Sequence, residues 1–281
     1  MILDRKKVCS TFKKYTDKYD LSDPKIQLKA VHTYHVAENA DAIARFLNLS
    51  ENDTDLAWLL GMLHDLGRFE QIRKYQTFND SQSVSHAHLS CEILFPEYYH
   101  LDKSFFENMP NGSFGQISDF IEEASDEEYD LIRTAIWEHS SYRIPDDLNP
   151  RQKMFCDIIR DADKIDIFRV NVEESMADVY NADENEIINS GTSDKVIQAL
   201  KKHTCVKRDP GFNMTYADHM LSHACLAFEL VLHVNREITN KQGLLKKLAN
   251  FESNNPTPHV AEEMLRKELS DLGYSVTVSQ E

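Results

Sequence analysis

The sequence is poor in the residues that interrupt helices. Glycine and proline number only eight each among 281 residues, which leaves little punctuation for many short strands. Hydrophobic residues make up 41% of the chain, enough for a sizeable core. We therefore expect an all-α fold whose helices are joined by loops.

Cysteine is scarce, and long apolar runs are missing. The five cysteines are scattered, with no Cys-x-x-Cys pair, so a disulfide framework is not expected and a reducing cytoplasm is the default location. The start, Met-Ile-Leu-Asp-Arg-Lys-Lys, lacks the apolar core of a signal peptide. The most apolar stretch, residues 225–234, is short and contains Glu229, so we expect no membrane span.

Positive charge is in the minority. Lysine and arginine total 31 against 47 acidic residues, a formal net charge of -16, and the basic residues form no run longer than the three residues Arg5-Lys6-Lys7. Such a chain repels a nucleic-acid backbone, which argues against a polymeric nucleic acid as the main partner. A small phosphorylated molecule remains compatible, because metal ions and a few placed cations can reverse the local field.

What the chain does have is helical periodicity over most of its length. Pro24 suits the first turn of a helix, Ser50 to Asp53 resembles a capping box, and Gly67 is expected to mark a helix stop. Residues 68–85 have no steady period and are expected to form a loop or a short helix over the site. The remaining predicted helices cover residues 4–19, 24–47, 51–65, 86–95, 127–139, a long segment after 150, then 174–181, 194–202, 214–236 and 257–271.

No repeat, low-complexity tract or clear linker divides the sequence. We expect one helical domain over residues 1–281, with a motif-bearing core at about 28–170. Residues from about 172 to 281 then form a C-terminal helical extension, either a lid or the surface of a homodimer. Residues 181–193 and 203–213 are expected to be surface loops.

A histidine followed directly by an aspartate is the most informative feature. His64 and Asp65 end the apolar stretch 56–63, with His32 before them and Asp163 well after. Imidazole nitrogen and carboxylate oxygen suit a divalent transition metal, and such a metal can generate a nucleophile from water at neutral pH. The spacing leaves one alternative open, because His35 shares a helix face with His32 and either can be the ligand.

Residues 28–170 resemble the HD-domain superfamily of metal-dependent phosphohydrolases. The matching segments are His-Thr-x-x-Val-Ala, Leu-Leu-Gly-Met-Leu-His-Asp-Leu-Gly and Arg-Asp-Ala-Asp-Lys-Ile-Asp. The resemblance implies an all-α HD-domain helical bundle with additional C-terminal helices. It also selects His32 over His35 and implies that His32, His64, Asp65 and Asp163 hold a divalent ion.

The resemblance extends to a second ion. His86, in His-Ala-His-Leu-Ser-Cys, and His139, in Ala-Ile-Trp-Glu-His, lie where two-metal members have further histidines. With Asp65 as a bridge, they would hold the second of two ions. The chain has Glu138-His139-Ser140 in place of His-His-Glu and no Gly-Tyr-Pro, which argues against a cyclic di-GMP phosphodiesterase. The ligand types do not distinguish manganese, iron, nickel, magnesium or zinc.

Two basic residues lie beside the expected ligands. Arg68 and Lys164 either pair with a neighbouring carboxylate or hold phosphate oxygens and stabilise developing charge, which would make them catalytic together with Asp65. Tyr75, Thr77 and Asp80 are expected to line the substrate entrance.

The expected function is hydrolysis of a phosphate ester or anhydride of a small molecule, with a nucleotide as the first substrate class. Two alternatives stay open at this point. One is a diiron oxygenase built on the same scaffold, and the other is a non-catalytic module that binds a nucleotide or a protein partner through the same pocket.

Overall fold

A computed structural model describes residues 1–175, 183–207 and 212–277, and it is helical throughout. Within these ranges there is no strand, and one isolated antiparallel bridge joins Ile2 and Glu123. The predicted all-α fold is confirmed.

The chain divides into two compact units, Met1–Asp163 and Lys164–Glu281. The interpretation as one domain with a C-terminal extension stays a prediction.

The first unit contains eight helices and the start of a ninth. They are α1 (Arg5–Thr16), α2 (Pro24–Phe46), α3 (Glu51–Leu63), α4 (Leu66–Tyr75), α5 (His86–Leu94), α6 (Lys103–Glu107), α7 (Ile117–Phe120), α8 (Asp126–Glu138) and α9 (Pro150–Glu173). A short 3-10 turn, Asp80–Gln82, lies between α4 and α5.

The tightest pairing in this unit is between α2 and α3. Gly61 of α3 faces Ala37 of α2, and a Cβ at Gly61 would lie only 2.6 Å from the Ala37 nitrogen. Ala40 and Ala44 are also buried on α2, so small side chains let the two backbones approach. Because α2 carries His32 and His64 caps the end of α3, this approach fixes the distance between those two imidazoles.

Pro24 and Ser50 begin α2 and α3 as the sequence predicts, although only the Ser50 half of the expected capping box is found among the described contacts. Asp23 accepts a hydrogen bond from the Lys25 backbone N–H, and Pro24 follows it in the first turn, where its missing N–H costs nothing. The Ser50 hydroxyl accepts from the Asp53 backbone N–H at 3.2 Å, which caps α3.

Gly67 does not stop a helix, so that prediction is wrong. It lies in the first turn of α4, where a Cβ would come within 2.5 Å of the His86 carbonyl oxygen on α5. Its N–H donates to the Ser90 hydroxyl at 2.8 Å. Glycine is required here for close packing between two helices. The expected loop or short helix over residues 68–85 is resolved into most of α4, the 3-10 turn and their connections.

Aromatic side chains fix the position at which α4 begins. Phe69 on α4 packs edge-on against Phe12 and Tyr15 of α1, with ring centroids 5.9 Å apart in both pairs. The Tyr15 hydroxyl donates to the Leu66 carbonyl at 3.2 Å. This anchor lies one residue beyond Asp65, so the α1 contacts hold the chain where the central carboxylate leaves the backbone.

The second unit packs its helices around an apolar core that includes Leu200, Leu221, Leu265 and Leu269. After the end of α9 come α10 (Glu184–Asn189), α11 (Asp194–Lys201), α12 (Tyr216–Ala224), a 3-10 turn (Cys225–Glu229), α13 (Val234–Gln242), α14 (Leu244–Leu248) and α15 (Pro256–Asp271).

Three of the sequence predictions concern helices and loops of this unit. The single helix predicted over 214–236 is wrong, because the chain leaves the helix at Ala224 and starts a new one only at Val234. The predicted loop over 181–193 contains α10, while the helix predicted over 174–181 falls almost wholly outside the described residues.

No helix in the described ranges is long and apolar enough to cross a membrane.

Candidate metal centre

Six side chains from five segments of the first unit converge on one buried point. The segments are α2, the α3–α4 junction, the start of α5, the end of α8 and α9, and the residues are His32, His64, Asp65, His86, His139 and Asp163. All are buried except Asp163, whose side chain is 20% exposed. The structure therefore brings together every metal ligand that the sequence predicts.

The junction between α3 and α4 lets two consecutive residues face the same centre. His64 caps the end of α3 in helical conformation, and Asp65 then leaves it with φ -109° and ψ 17°. These angles fall in the sparsely populated bridge region, where active-site residues are common. The helix break turns the Asp65 carboxylate back toward the ring of His64.

The two oxygens of Asp65 divide the histidines into two sets. Oδ2 lies 3.6 Å from the Nε2 atom of His32 and 3.5 Å from that of His64. Oδ1 lies 3.5 Å from the Nε2 atom of His86 and 3.7 Å from that of His139. A carboxylate placed in this way can bridge two ions.

Three imidazoles are oriented by hydrogen bonds at their far nitrogens. The Nδ1 atom of His64 lies 2.8 Å from the Gly61 carbonyl, and that of His139 lies 2.7 Å from the Ile136 carbonyl. A carbonyl only accepts, so Nδ1 carries the proton in both rings and the lone pair is at Nε2. His86 makes the same kind of contact through Nδ1 to Asp80 Oδ2, at 2.6 Å.

The distances between ligand atoms fit a divalent ion. Two ligands at right angles, each about 2.1 Å from an ion, lie about 3.0 Å apart. His32 Nε2 and Asp163 Oδ1 are 3.1 Å apart, and the Nε2 atoms of His86 and His139 are 3.0 Å apart. Among the described residues, the buried His64 Nε2 and Asp65 Oδ1 have no hydrogen-bond partner, as expected of atoms that are ligands.

Burial and charge keep the ligands in the forms that bind metal. Burial lowers the pKa of His64 to about 4, and burial with the nearby Arg68 guanidinium lowers the pKa of His86 to about 3, so both rings are neutral at pH 7. Burial alone would raise the pKa of Asp65, but Lys29 and His64 hold that pKa well below its usual range. His64 and His86 therefore offer neutral imidazoles, and Asp65 offers an ionised carboxylate.

Two basic side chains contact Asp65, and the sequence had pointed to only one of them. Arg68 Nε lies 3.6 Å from Asp65 Oδ1, and Lys29 Nζ lies 2.7 Å from Asp65 Oδ2. Both cations lie near the ring of Phe78, Lys29 at 5.5 Å and Arg68 at 5.8 Å from its centroid. Lys29 precedes His32 by three residues on α2, a spacing that places both on one helix face.

Other candidates lie elsewhere. His35 is 43% exposed and its nearest charged partner is Glu38, so it is not part of the ligand cluster. His88, which was not a predicted ligand, stacks on Trp137 with ring centroids 3.6 Å apart. Lys164 belongs to the second unit, where its Nζ donates to the Glu229 carbonyl at 3.1 Å, and its catalytic role stays a prediction.

Comparison with known families agrees with this geometry. The sequence model of the HD-domain family matches residues 30–168, which contain all six of the clustered residues. By this match the chain belongs to the HD-domain superfamily of metal-dependent phosphohydrolases. No curated protein and no solved structure was found to match the chain.

Proposed function

We propose that this protein is a metal-dependent phosphohydrolase that cleaves a phosphate ester or anhydride of a small molecule. The observation that carries the proposal is the position of Asp65 between two sets of imidazoles, one facing each carboxylate oxygen. Paired ions about 3.5–4 Å apart are the arrangement that phosphatases use to clamp a phosphoryl group.

The proposal assigns the ligands as two overlapping sets. His32, His64, Asp65 and Asp163 would hold one ion, and Asp65, His86 and His139 would hold the other. Such ions neutralise charge on phosphate oxygens and lower the pKa of water enough to supply a nucleophile near neutral pH.

The basic side chains have a separate task in this proposal. Lys29 and Arg68 would bind phosphate oxygens that the ions leave uncovered, since a guanidinium and an ammonium both donate to anionic oxygen. Partly buried hydrogen bonds hold Arg68, from Nη1 to the Gln71 amide oxygen at 2.7 Å and to the Phe78 carbonyl at 2.8 Å. A fixed donor costs little reorganisation during the reaction.

A nucleotide is the substrate class that we propose to test first. Phe78 is partly exposed and adjoins both cations, so a base can stack on its ring while the phosphates reach the centre. We also propose a cytoplasmic location, which the free thiols of all five cysteines support.

Elemental analysis of protein purified without added metal, followed by phosphate release from nucleotides and phosphomonoesters, tests the function. We expect bound divalent metal and release of inorganic phosphate or pyrophosphate under anaerobic conditions, because hydrolysis needs no oxygen. Asp65→Ala is expected to abolish both, with circular dichroism as the control for folding.

The same experiment separates the two alternatives. A diiron oxygenase would contain iron, consume oxygen and release no phosphate in the anaerobic assay. A binding module would bind a nucleotide in calorimetry and turn over nothing across the panel. Either result contradicts the proposed hydrolysis.

A further inference from the structure

Asp80 holds the far side of one proposed ligand. Its Oδ2 lies 2.6 Å from the Nδ1 atom of His86 and 3.4 Å from the backbone nitrogen of the same residue. His86 is the first residue of α5, so one carboxylate oxygen contacts both its ring and the start of its helix.

The other oxygen of Asp80 is held by two donors. Arg68 Nη1 donates to Oδ1 at 3.0 Å and the Gln71 amide nitrogen donates at 2.8 Å. Gln71 is fully buried, and the same nitrogen also donates to the Ser83 hydroxyl and the Val84 carbonyl, at 2.9 Å each. The loop that carries Asp80 is thus fastened to α4 from inside.

These contacts fix the position of the His86 proton. Asp80 Oδ2 only accepts, so the ring must donate through Nδ1 and has its lone pair at Nε2. Arg68 Nη2 lies 3.3 Å from that Nε2, and a guanidinium cannot accept a hydrogen bond. Both neighbours therefore require the same tautomer, the one that can bind a metal ion.

We propose that Asp80 is a positioning residue that fixes the tautomer and direction of His86, and thereby determines whether the second ion binds. Replacing a carboxylate that accepts a hydrogen bond from a metal-binding imidazole commonly weakens metal binding by about 10–100-fold. The proposal rests on the two-ion centre described above. It adds a residue that acts on the second ion through His86.

The variant Asp80→Asn tests this with little change in shape. An asparagine has one accepting oxygen, and Asp80 accepts from His86 on one side and from Arg68 and Gln71 on the other. If the amide turns its oxygen to His86, its NH2 group faces two donors. If it turns the other way, the NH2 group faces Nδ1 and the imidazole is driven to the Nε2–H tautomer, which cannot bind metal.

The first measurement uses the metal-free protein. Long-range 1H–15N correlation spectra report the tautomer of His86, assigned by its loss in His86→Ala. We expect the Nδ1–H form in the wild type and a clear population of the Nε2–H form in Asp80→Asn. This readout is independent of activity and of metal.

The second measurement is titration with Zn2+ or Mn2+, followed by elemental analysis. We expect two ions in the wild type, and at least tenfold weaker binding of the second ion in Asp80→Asn with the first retained. Ser83→Ala is the matched control. It removes the hydroxyl in the Asp80 loop that accepts from Gln71 of α4, and it leaves the Asp80–His86 contact intact. It should bind both ions as the wild type does.

Two results would overturn the role of Asp80. One is an Asp80→Asn protein with the wild-type tautomer and second-ion affinity within twofold of the wild type. The other is equal weakening by Ser83→Ala, which would assign the effect to loop packing. A wild type that takes up one ion instead overturns the two-ion function, and the tautomer comparison then decides the role of Asp80 by itself.

Discussion

Gly67 and His86 meet through their backbones, at the point where α4 crosses the start of α5. A Cβ on Gly67 would lie 2.5 Å from the His86 carbonyl oxygen and 2.7 Å from the Ser90 nitrogen. Neither atom belongs to a flexible side chain that can move aside. The absence of one methyl group therefore sets how closely His86 approaches Asp65.

Gly67→Ala should separate the two helices and displace His86. We expect at least tenfold weaker binding of the second ion, and a loss of about 2 kcal/mol in the free energy of unfolding from overpacking. Metal titration and chemical denaturation measure the two effects.

Gly112→Ala is the control for destabilisation without displacement. Gly112 has φ 55°, and nothing lies within 4 Å of a Cβ built on it, so alanine there costs about 1 kcal/mol from backbone strain alone. Ion content should be unchanged in this variant. If Gly67→Ala also retains both ions at wild-type affinity, the backbone contact does not position His86.

Replacing Asp65 and replacing Asp163 should have different effects on metal content. Asp65 presents one oxygen to each set of histidines, whereas Asp163 contacts the set of His32 and His64, at 3.1 Å and 4.0 Å from their Nε2 atoms. Asp65→Asn should therefore lose both ions and Asp163→Asn only one, as measured by elemental analysis after gel filtration. Equal loss in both variants would contradict the bridging role of Asp65.

The sequence could predict which residues cluster at the centre because each is a chemically distinctive residue in a recognisable segment. It missed Lys29 because an isolated lysine on a helix usually faces solvent, and only the fold shows its contact with Asp65. Asp80 was expected to line a substrate entrance, which stays a prediction, while its contact with His86 was not predicted. Its partner is six residues along the chain, across a turn that no periodicity describes.

The sequence left the segment of α4 undecided between a loop and a short helix for a related reason. Glu70 and Gln71 are buried on it beside Phe69 and Ile72, so the apolar spacing of an ordinary amphipathic helix is absent. Their partners come from tertiary structure: Glu70 pairs with Arg73, while Gln71 fastens the loop that follows. Burial of polar side chains cannot be read from a hydrophobic pattern that ignores their partners.

The sequence also gives no signal for the break in the helix after α12. The apolar run continues through residues 225–234 without glycine or proline, so it predicts an unbroken helix. Carbonyls in the break accept from distant side chains instead, Ala227 from the Tyr274 hydroxyl and Glu229 from Lys164, each at 3.1 Å. These long-range donors offset the lost helical hydrogen bonds.

Glu262 in the second unit should make stability depend on pH. Its Oε1 is buried without a hydrogen-bond partner among the described residues, and burial raises the pKa of the carboxyl above its usual value of 4.5. Because the folded-state pKa is raised, the protonated carboxyl stabilises the folded state at low pH. This stabilisation is lost as the pH rises through that pKa. Glu262→Gln should therefore raise the melting temperature at pH 7, and this gain should shrink as the pH falls toward 4.5.

Glu263→Gln is the matched control, since Glu263 is the exposed neighbour on the same helix. It should change the melting temperature little at either pH. A lower melting temperature for Glu262→Gln at pH 7 would show that the contacts of Glu262 with His259 and Arg266, at 3.4 Å and 3.5 Å, outweigh the cost of burial.

Lys29 contacts the oxygen of Asp65 that faces His32 and His64, so it would compete with an ion held there. Its Nζ lies 2.7 Å from Oδ2, and the pair is nearly buried, with side-chain exposures of 13% and 2%. Removing the ammonium leaves a buried carboxylate without its cation, which costs on the order of 3 kcal/mol in the metal-free protein.

Lys29→Met should therefore bind the first ion more tightly than the wild type while its metal-free form melts at a lower temperature. The added ion restores the missing positive charge, so the difference in melting temperature should narrow once metal is bound. If a phosphorylated substrate is turned over, its KM should rise, because one of the two cations beside Phe78 is gone. Lys29→Arg keeps the charge and is the control; weaker metal binding in Lys29→Met than in Lys29→Arg would show that the lysine supports the ion instead of competing with it.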